Sequence, residues 1–424
     1  MLISLMLTSW LCTALAQTAD TSAAKAAQYF AEAKQAADNQ TLWPKKLYGP
    51  MLLVEPESRR TWANEPDSLG LLKPVEGIYT GVLPADIIIA NTAISWEGKT
   101  WSVIQWPLPA NREDRLNLMT HELFHRIQRS LGLPPNGATI NYLGSYEGRL
   151  YLLLELQALK AALNEPVGKR RQCLATALMF REKRQQLFPA TYGNERLQEM
   201  HEGLAEYTGV MTGRRHSHLT AYLDSIIDHV SSRPTLIRAM AYVTGPVYGY
   251  LLYQKDPQWT FRIDSTSSFP KLIRQYYHIQ TVPAPLGTRI AAAVKRYHAQ
   301  GIIDEEKARE KLRLNQAQKY TYLFTKKPVL EIRLQKMDIG FNPNTLFDLG
   351  QYGTVYTTVR VTDVWGELQV SKSMLMKDWK IVYLPVSNLN STKDNILGDG
   401  WELILKTGWH INKTGPLHYQ LVAD

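Results

Sequence analysis

Long apolar runs are missing from this chain of 424 residues. The longest, Leu2 to Leu15, is shorter than the ~20 residues that a membrane-spanning helix needs. It ends in Ala14-Leu15-Ala16, a small-x-small cleavage signal directly before Gln17. We therefore expect residues 1–16 to be a secretory signal peptide, with no transmembrane segment after its cleavage.

Cysteine is also scarce, since the chain has only Cys12 and Cys173. The two residues before Cys12 are too large for a bacterial lipid-attachment site, so lipoprotein anchoring is the less favoured alternative. After cleavage Cys173 cannot form an internal disulfide, which fits a secreted or periplasmic protein of a bacterium. Cys173 lies in an apolar helical pattern with Leu174, Ala177 and Leu178, which predicts a buried thiol rather than a nucleophile.

The positive charge of the chain is not concentrated in one region. The formal net charge is +9, and the densest basic clusters are Lys169–Arg171 and Arg181–Arg184. Such clusters are typical of solvated helix faces, with a polyanion-binding patch as the alternative. Because the chain also lacks a basic-aromatic module, the sequence predicts no nucleic-acid partner.

Composition and patterning predict an α+β protein with two domains. With 45% hydrophobic and 21% charged residues the chain has an ordinary globular composition, and its length permits a large core. Residues 17–325 are predicted to form one domain, which contains a small sheet near its N-terminus and is otherwise mainly helical by its periodicity. Short alternating runs separated by Gly and Asn turns follow in residues 326–424 and predict a β-sandwich or barrel.

A hairpin followed by an amphipathic helix is predicted near residue 100. Asp86 to Trp96 and Thr100 to Trp106 are predicted strands, joined by a turn. The helix is predicted from Asn111, a good N-cap, to about Leu131, where Gly132 ends it. One interpretation is that an exposed strand of this hairpin pairs with an extended substrate, and the alternative is an ordinary sheet hairpin.

Within this helix, residues His121–His125 read His-Glu-Leu-Phe-His. Histidines at i and i+4 lie one turn apart on one helix face and can bind one metal ion together. Glu122, beside the first histidine, can accept a proton from water at that metal. The motif therefore predicts a catalytic zinc site.

A catalytic zinc needs a third protein ligand, and Glu202 and Glu206 are candidates for two roles. They lie four residues apart on one predicted helix face, so Glu202 can bind the metal while Glu206 accepts the free N–H of a ligand histidine, His121. The alternative is a solvated acidic helix face. Positions 126–201 separate the two motifs, and extra helices are expected to fill them.

Together these motifs resemble the gluzincin zinc metallopeptidases, the group of thermolysin and the M1 aminopeptidases. His201–Tyr207 is similar to the Asn-Glu-Gly-x-x-x-Tyr-like segment of that group, with His201 replacing the asparagine. Tyr242–Tyr248 is similar to the segment whose tyrosine stabilises the oxyanion, which implies that role for Tyr242, with Tyr248 as the reserve candidate and aromatic packing as the alternative for both. No segment resembles the amine-gripping motif of the aminopeptidases.

The resemblance implies a zincin-like catalytic domain and an exported zinc metallopeptidase that acts on a peptide or protein, either as an exo- or as an endopeptidase. One alternative is an inactive zincin-fold protein that binds peptide or glycan, and another is a hydrolase of a non-peptide amide. The implied site has one zinc per chain. Its residues are the metal ligands His121, His125 and Glu202, the general base Glu122, the oxyanion donor Tyr242 and the supporting carboxylate Glu206.

Overall fold

The computed structural model describes residues 22–135, 140–190, 192–213, 218–233, 235–280, 286–342, 345–387, 389–391 and 395–424. The predicted signal peptide, residues 1–16, lies outside these ranges. The α+β fold class is confirmed, with a largely helical region followed by an all-β region. Within the described ranges, no helix combines the length and the apolar character that a membrane crossing requires.

The chain divides into two compact units, one up to Ile302 and one from Ile303 to Asp424. The predicted boundary, between positions 325 and 326, falls later than this division. The reason is a long helix, Gln300–Lys326, whose last turns pack with the β-region: Phe324 shares an apolar cluster with Val329 and Val355. Most of that helix therefore belongs to the second unit.

Helices account for most of the first unit. The amphipathic helix predicted from Asn111 to about Leu131 is confirmed, with bounds of Arg112 and Gln128, and further helices fill the interval between the two motifs as expected. The helices are α1 (22–38), α2 (Arg112–Gln128), α3 (Tyr146–Asn164), α4 (Arg171–Leu187), α5 (Tyr192–Gln198), α6 (Leu204–Thr212), α7 (Leu219–Val230), α8 (Ala239–Lys255), α9 (Phe269–Tyr277), α10 (Gly287–Arg296) and α11 (Gln300–Lys326).

One sheet lies between α1 and α2 in the sequence and is larger than the hairpin that the sequence predicts. Its strands are β1 (Met51–Val54), β2 (Arg60–Ala63), β3 (Lys73–Val75), β4 (Ile78–Val82), β5 (Thr92–Trp96) and β6 (Lys99–Gln105), in the order β3-β4-β2-β1-β6-β5. The predicted hairpin is β5–β6, but its first strand begins at Thr92 rather than Asp86. In the described part of the chain β5 pairs with β6 alone, so it forms an edge of the sheet.

Three carboxylates and two guanidinium groups form a charge network inside the first unit. Arg181 of α4 contacts Glu155 of α3 at 2.7 Å and Glu199, just after α5, at 2.6 Å. Arg184 contacts Glu155 at 2.8 Å and Glu195 at 2.7 Å. All five side chains are buried, so the expectation that Arg181 and Arg184 lie on a solvated helix face is wrong. The network ties α3 and α4, which occupy the long interval between the two sequence motifs, to the segment that carries the second motif.

The second unit is a β-sandwich, one of the two forms that the sequence predicts. Residues from both of its sheets, such as Ile332 and Leu368, share one buried core. One sheet has the order β18-β19-β7-β14-β13-β10-β9 and the other β15-β16-β17-β12-β11-β8. The strands are β7 (Val329–Arg333), β8 (Asp338–Phe341), β9 (Leu346–Asp348), β10 (Thr354–Tyr356), β11 (Val359–Asp363), β12 (Gly366–Val370), β13 (Met374–Lys377), β14 (Ile381–Pro385), β15 (Asn390–Ser391), β16 (Asn395–Gly398), β17 (Trp401–Leu405), β18 (Trp409–Gly415) and β19 (His418–Ala423).

Candidate metal centre

Helix α2 presents the first motif as the sequence predicts. The Asn111 side chain caps the helix by accepting from the Asp114 backbone N–H at 3.1 Å. One face of the helix is apolar and fully buried, with Leu116, Met119 and Leu123 in the core. The histidines and Glu122 of the motif therefore project from a helix that is fixed by its cap and its core face.

Glu202 meets the two histidines at one point. His121 Nε2 lies 3.1 Å from His125 Nε2, and Glu202 Oε2 lies 3.5 Å and 3.6 Å from these nitrogens. A tetrahedral zinc with bonds of about 2.0 Å separates its ligand atoms by about 3.3 Å. The three side chains could hold a metal ion, and the separations of their atoms fit this geometry.

The backbone around Glu202 departs from a regular α-helix. Residues Glu199–Gly203 form a π-helical turn between α5 and α6. Such turns are rare and occur mostly at functional sites, because they rotate side chains out of the α-helical register. Gly203 in this turn lies against Gly245 of α8. A Cβ atom added to Gly245 would lie only 2.3 Å from Gly203 Cα, so no larger residue fits at position 245 without a backbone shift. Close backbone contact thus brings α8 to the site.

The second nitrogen of each histidine has its own acceptor. His121 Nδ1 lies 3.0 Å from Glu206 Oε2, the contact that the sequence predicts for Glu206. His125 Nδ1 lies 3.0 Å from the side-chain oxygen of Gln128. The Gln128 amide donates to the Met200 carbonyl at 2.8 Å, which fixes the orientation of its oxygen. Both Nδ1 atoms therefore carry the proton, and both Nε2 atoms are left to bind a cation.

Electrostatics favour positive charge at the point where these atoms converge. Burial lowers the pKa of His121, but Glu202 and Glu206 outweigh it and raise that pKa to about 10. Burial opposes ionisation of Glu202, but the neighbouring His121, His125 and His201 hold the pKa of its carboxyl well below its ordinary range. The site therefore stabilises a cation, either a proton or a metal ion that displaces it.

Glu122 lines the same cleft as His121, His125 and Glu202. It is buried, and its Oε2 has no hydrogen-bond partner among the described residues. Its backbone carbonyl accepts from Ser102 Oγ of β6 at 2.9 Å, which ties this turn of α2 to the sheet. Burial raises the pKa of the Glu122 carboxyl, so it accepts a proton more readily than an exposed glutamate does.

The two candidate tyrosines are clearly separated by their positions. Tyr242 is 38% exposed, stacks on the His121 ring at 5.6 Å and donates to Glu202 Oε2 at 2.7 Å. Tyr248 is fully buried and donates to Glu155 of the charge network at 2.7 Å. Tyr248, the reserve candidate, therefore lies in the core, and Tyr242 lies at the site. Burial and then Glu202 raise the pKa of Tyr242 well above its ordinary value, so its hydroxyl stays protonated.

Three site residues have roles that the sequence prediction missed. Gln128 follows His125 by three residues and Asn117 precedes His121 by four, so helical spacing could have identified both. The Asn117 amide donates to Glu206 Oε1 at 3.0 Å. His201 stacks on His125 at 4.7 Å, and its Nδ1 lies 2.8 Å from Glu202 Oε1. His201 lies in the π-helical turn, which no local pattern predicts.

An open cleft of about 540 Å³ leads to these residues. Its lining includes Asn91, Thr92 and Ala93, at the start of the edge strand β5. It also includes His121, His125 and Glu202, which together are called the metal cluster below. The cleft thus joins a free strand edge to the converging histidines and Glu202. No protein-family model matches the chain, and no curated protein or solved structure does.

Proposed function

We propose that this protein is a zinc-dependent metallopeptidase whose metal ligands are His121, His125 and Glu202. The observation that carries the proposal is the convergence of His121 Nε2, His125 Nε2 and Glu202 Oε2 within 3.1 to 3.6 Å. Two imidazoles and one carboxylate are a typical ligand set of catalytic zinc, which keeps a further position open. The resemblance of both motifs to those of the gluzincins supports the same assignment.

Zinc bound at these ligands would supply a Lewis acid that lowers the pKa of water toward ~7 and polarises a carbonyl. Glu122 is the proton acceptor, because its carboxylate lies beside the ligands and has a free oxygen. Burial raises its pKa, which suits a group that takes a proton from water and returns it to a leaving amine.

Tyr242 is the hydrogen-bond donor for the negative charge that develops on the scissile carbonyl oxygen. Its hydroxyl lies 2.7 Å from Glu202 Oε2, the oxygen that faces both histidines, so it is at the reacting centre before substrate arrives. Stacking on His121 limits the freedom of the ring. Glu206 and Gln128 hold the histidines in the tautomer that leaves Nε2 available.

The substrate is a peptide in extended conformation. The edge strand β5 begins at the cleft and offers unpaired backbone groups there, and an extended chain can add to such an edge by main-chain hydrogen bonds. This arrangement holds a peptide bond near the metal without a side-chain pocket of a particular size. It favours a peptide over a small amide.

The test is a matched pair of variants of the full chain. Glu122→Gln is expected to retain one zinc per chain, as measured by elemental analysis, and to lose peptide hydrolysis, because glutamine cannot accept the proton. His125→Ala is expected to lose both. Cleavage of a peptide library is measured with and without chelator. Wild-type protein that holds no zinc at neutral pH, or cleavage that survives Glu122→Gln, would overturn the proposal.

A further inference from the structure

Two ring stacks flank Glu202 and contact different oxygens of its carboxylate. On one side Tyr242 stacks on His121 and donates to Oε2 at 2.7 Å. On the other side His201 stacks on His125 and lies 2.8 Å from Oε1 through Nδ1. The carboxylate is therefore held between two rings, and each of its oxygens has a separate task.

The polarity of the His201 contact follows from the charge of its partner. A carboxylate that binds a metal has no proton to donate, so in the metal-bound site His201 Nδ1 carries the proton of this 2.8 Å hydrogen bond. A hydrogen bond to an ionised group is short and strong. Glu202 Oε1 is thereby directed toward His201, while Oε2 remains 3.5 Å from His121 Nε2 and 3.6 Å from His125 Nε2.

We propose that His201 is a positioning residue that restricts Glu202 to metal binding through one oxygen. Carboxylates also bind metal ions through both oxygens. At the present site such binding would fill the coordination position that a catalytic zinc must leave open. The inference rests on the metal site of the proposed function, but it concerns the mode of Glu202 binding rather than the reaction.

Two substitutions separate the hydrogen bond from the ring. Asparagine carries its Nδ2 donor on Cγ, the same bond position as Nδ1 of histidine, so His201→Asn keeps the donor and removes the ring. His201→Phe keeps a ring that can stack on His125 and removes the donor. His229→Phe, on α7 and exposed, is the control for replacing a histidine by phenylalanine.

The measurement is the visible absorption of the full chain loaded with cobalt(II), whose intensity falls as the coordination number rises from four to five. We expect wild type, His201→Asn and His229→Phe to share one spectrum. His201→Phe should give the weaker bands of a five-coordinate ion, because Glu202 can then bind through both oxygens. Loss of an outer hydrogen bond should also change the metal dissociation constant by roughly 10-fold.

Each outcome decides between the two proposals. A His201→Phe spectrum and dissociation constant equal to those of wild type would overturn the positioning role and leave the peptidase proposal intact. A folded His201→Phe protein that takes up no cobalt would make His201 itself a ligand and would also overturn it. If the cobalt spectra of wild type and His201→Phe differ as expected but wild type cleaves no peptide, the positioning role is supported and the peptidase proposal is contradicted.

Discussion

Two clusters of charged groups share the segment that carries Glu202, and they differ in whether the chain itself supplies a positive partner for each negative group. In the buried network, Arg181 and Arg184 contact carboxylates at distances of 2.6 to 2.8 Å, so each negative group has a guanidinium partner. In the metal cluster, by contrast, His121 Nε2, His125 Nε2 and Glu202 Oε2 are acceptors that face one another.

The difference indicates which cluster could take up a cation from outside the chain. The cleft is lined by the carboxylates of Asp114, Glu122, Glu202 and Glu206, and the described lining residues include no lysine or arginine. The network contains its own cations and serves as a support, because Glu199 lies only three residues before Glu202. The buried network stabilises the fold, and the cluster of His121, His125 and Glu202 attracts a cation.

Breaking the network should have the largest effect on stability. Arg181→Met leaves both oxygens of Glu199 buried without their guanidinium partner. Removing one member of a buried ion pair typically costs about 3–5 kcal/mol. We expect the free energy of unfolding, from urea titration, to fall by about this amount. Metal affinity should fall as well, because the turn that carries Glu202 loses its anchor.

The matched control is Arg171→Met, which removes an exposed arginine from the same helix. Its effect should stay within about 0.5 kcal/mol. If Arg181→Met were no more destabilising than Arg171→Met, the network could not be the support described above.

Adding zinc should stabilise the protein through the metal cluster alone. A ligand that binds only the folded state stabilises it by about 2.7 kcal/mol at a free concentration 100-fold above its dissociation constant. We expect this shift in urea unfolding curves of the metal-stripped chain, and no shift with magnesium, which prefers oxygen ligands. His125→Ala should remove the response. An equal response in that variant would place the bound zinc elsewhere.

Features encoded by neighbouring residues could be predicted from the sequence. The α2 cap at Asn111, the buried stripe and the pairing of His121 with His125 all follow from helical spacing within a few residues. Glu202 and Glu206 could be predicted for the same reason, because two acidic residues four apart lie on one face of any helix. Cys173 is buried, as its apolar surroundings predict.

Features that depend on distant contacts were missed or misplaced. The π-helical turn at Glu199–Gly203 is selected by the Arg181 ion pair and by close packing on Gly245, both far away in the sequence. Strands β1 to β4 lie in a region that Pro and Gly interrupt repeatedly, and their pairing partners rather than local alternation define them. The predicted start of β5 is too early, since Ile87 and Ile89 pack on the core without joining the ladder and Ile88 between them is exposed.

The smallest expected effect comes from Glu206, which contacts the proposed ligand His121 and is not itself a proposed ligand. Glu206→Gln replaces a carboxylate that accepts from both His121 Nδ1 and the Asn117 amide by a neutral amide. The NH2 group of this amide must then face one of the two donors. Outer partners of this kind typically contribute 10- to 100-fold to metal affinity, and we expect about 10-fold, or about 1.4 kcal/mol, because glutamine keeps one acceptor oxygen. Zinc competition against a chromophoric chelator measures the change, with the exposed Glu147→Gln as control. Equal zinc affinity in both variants would show that the Glu206 charge does not tune His121, and would place the negative charge that attracts the cation on Glu122 and Glu202 alone.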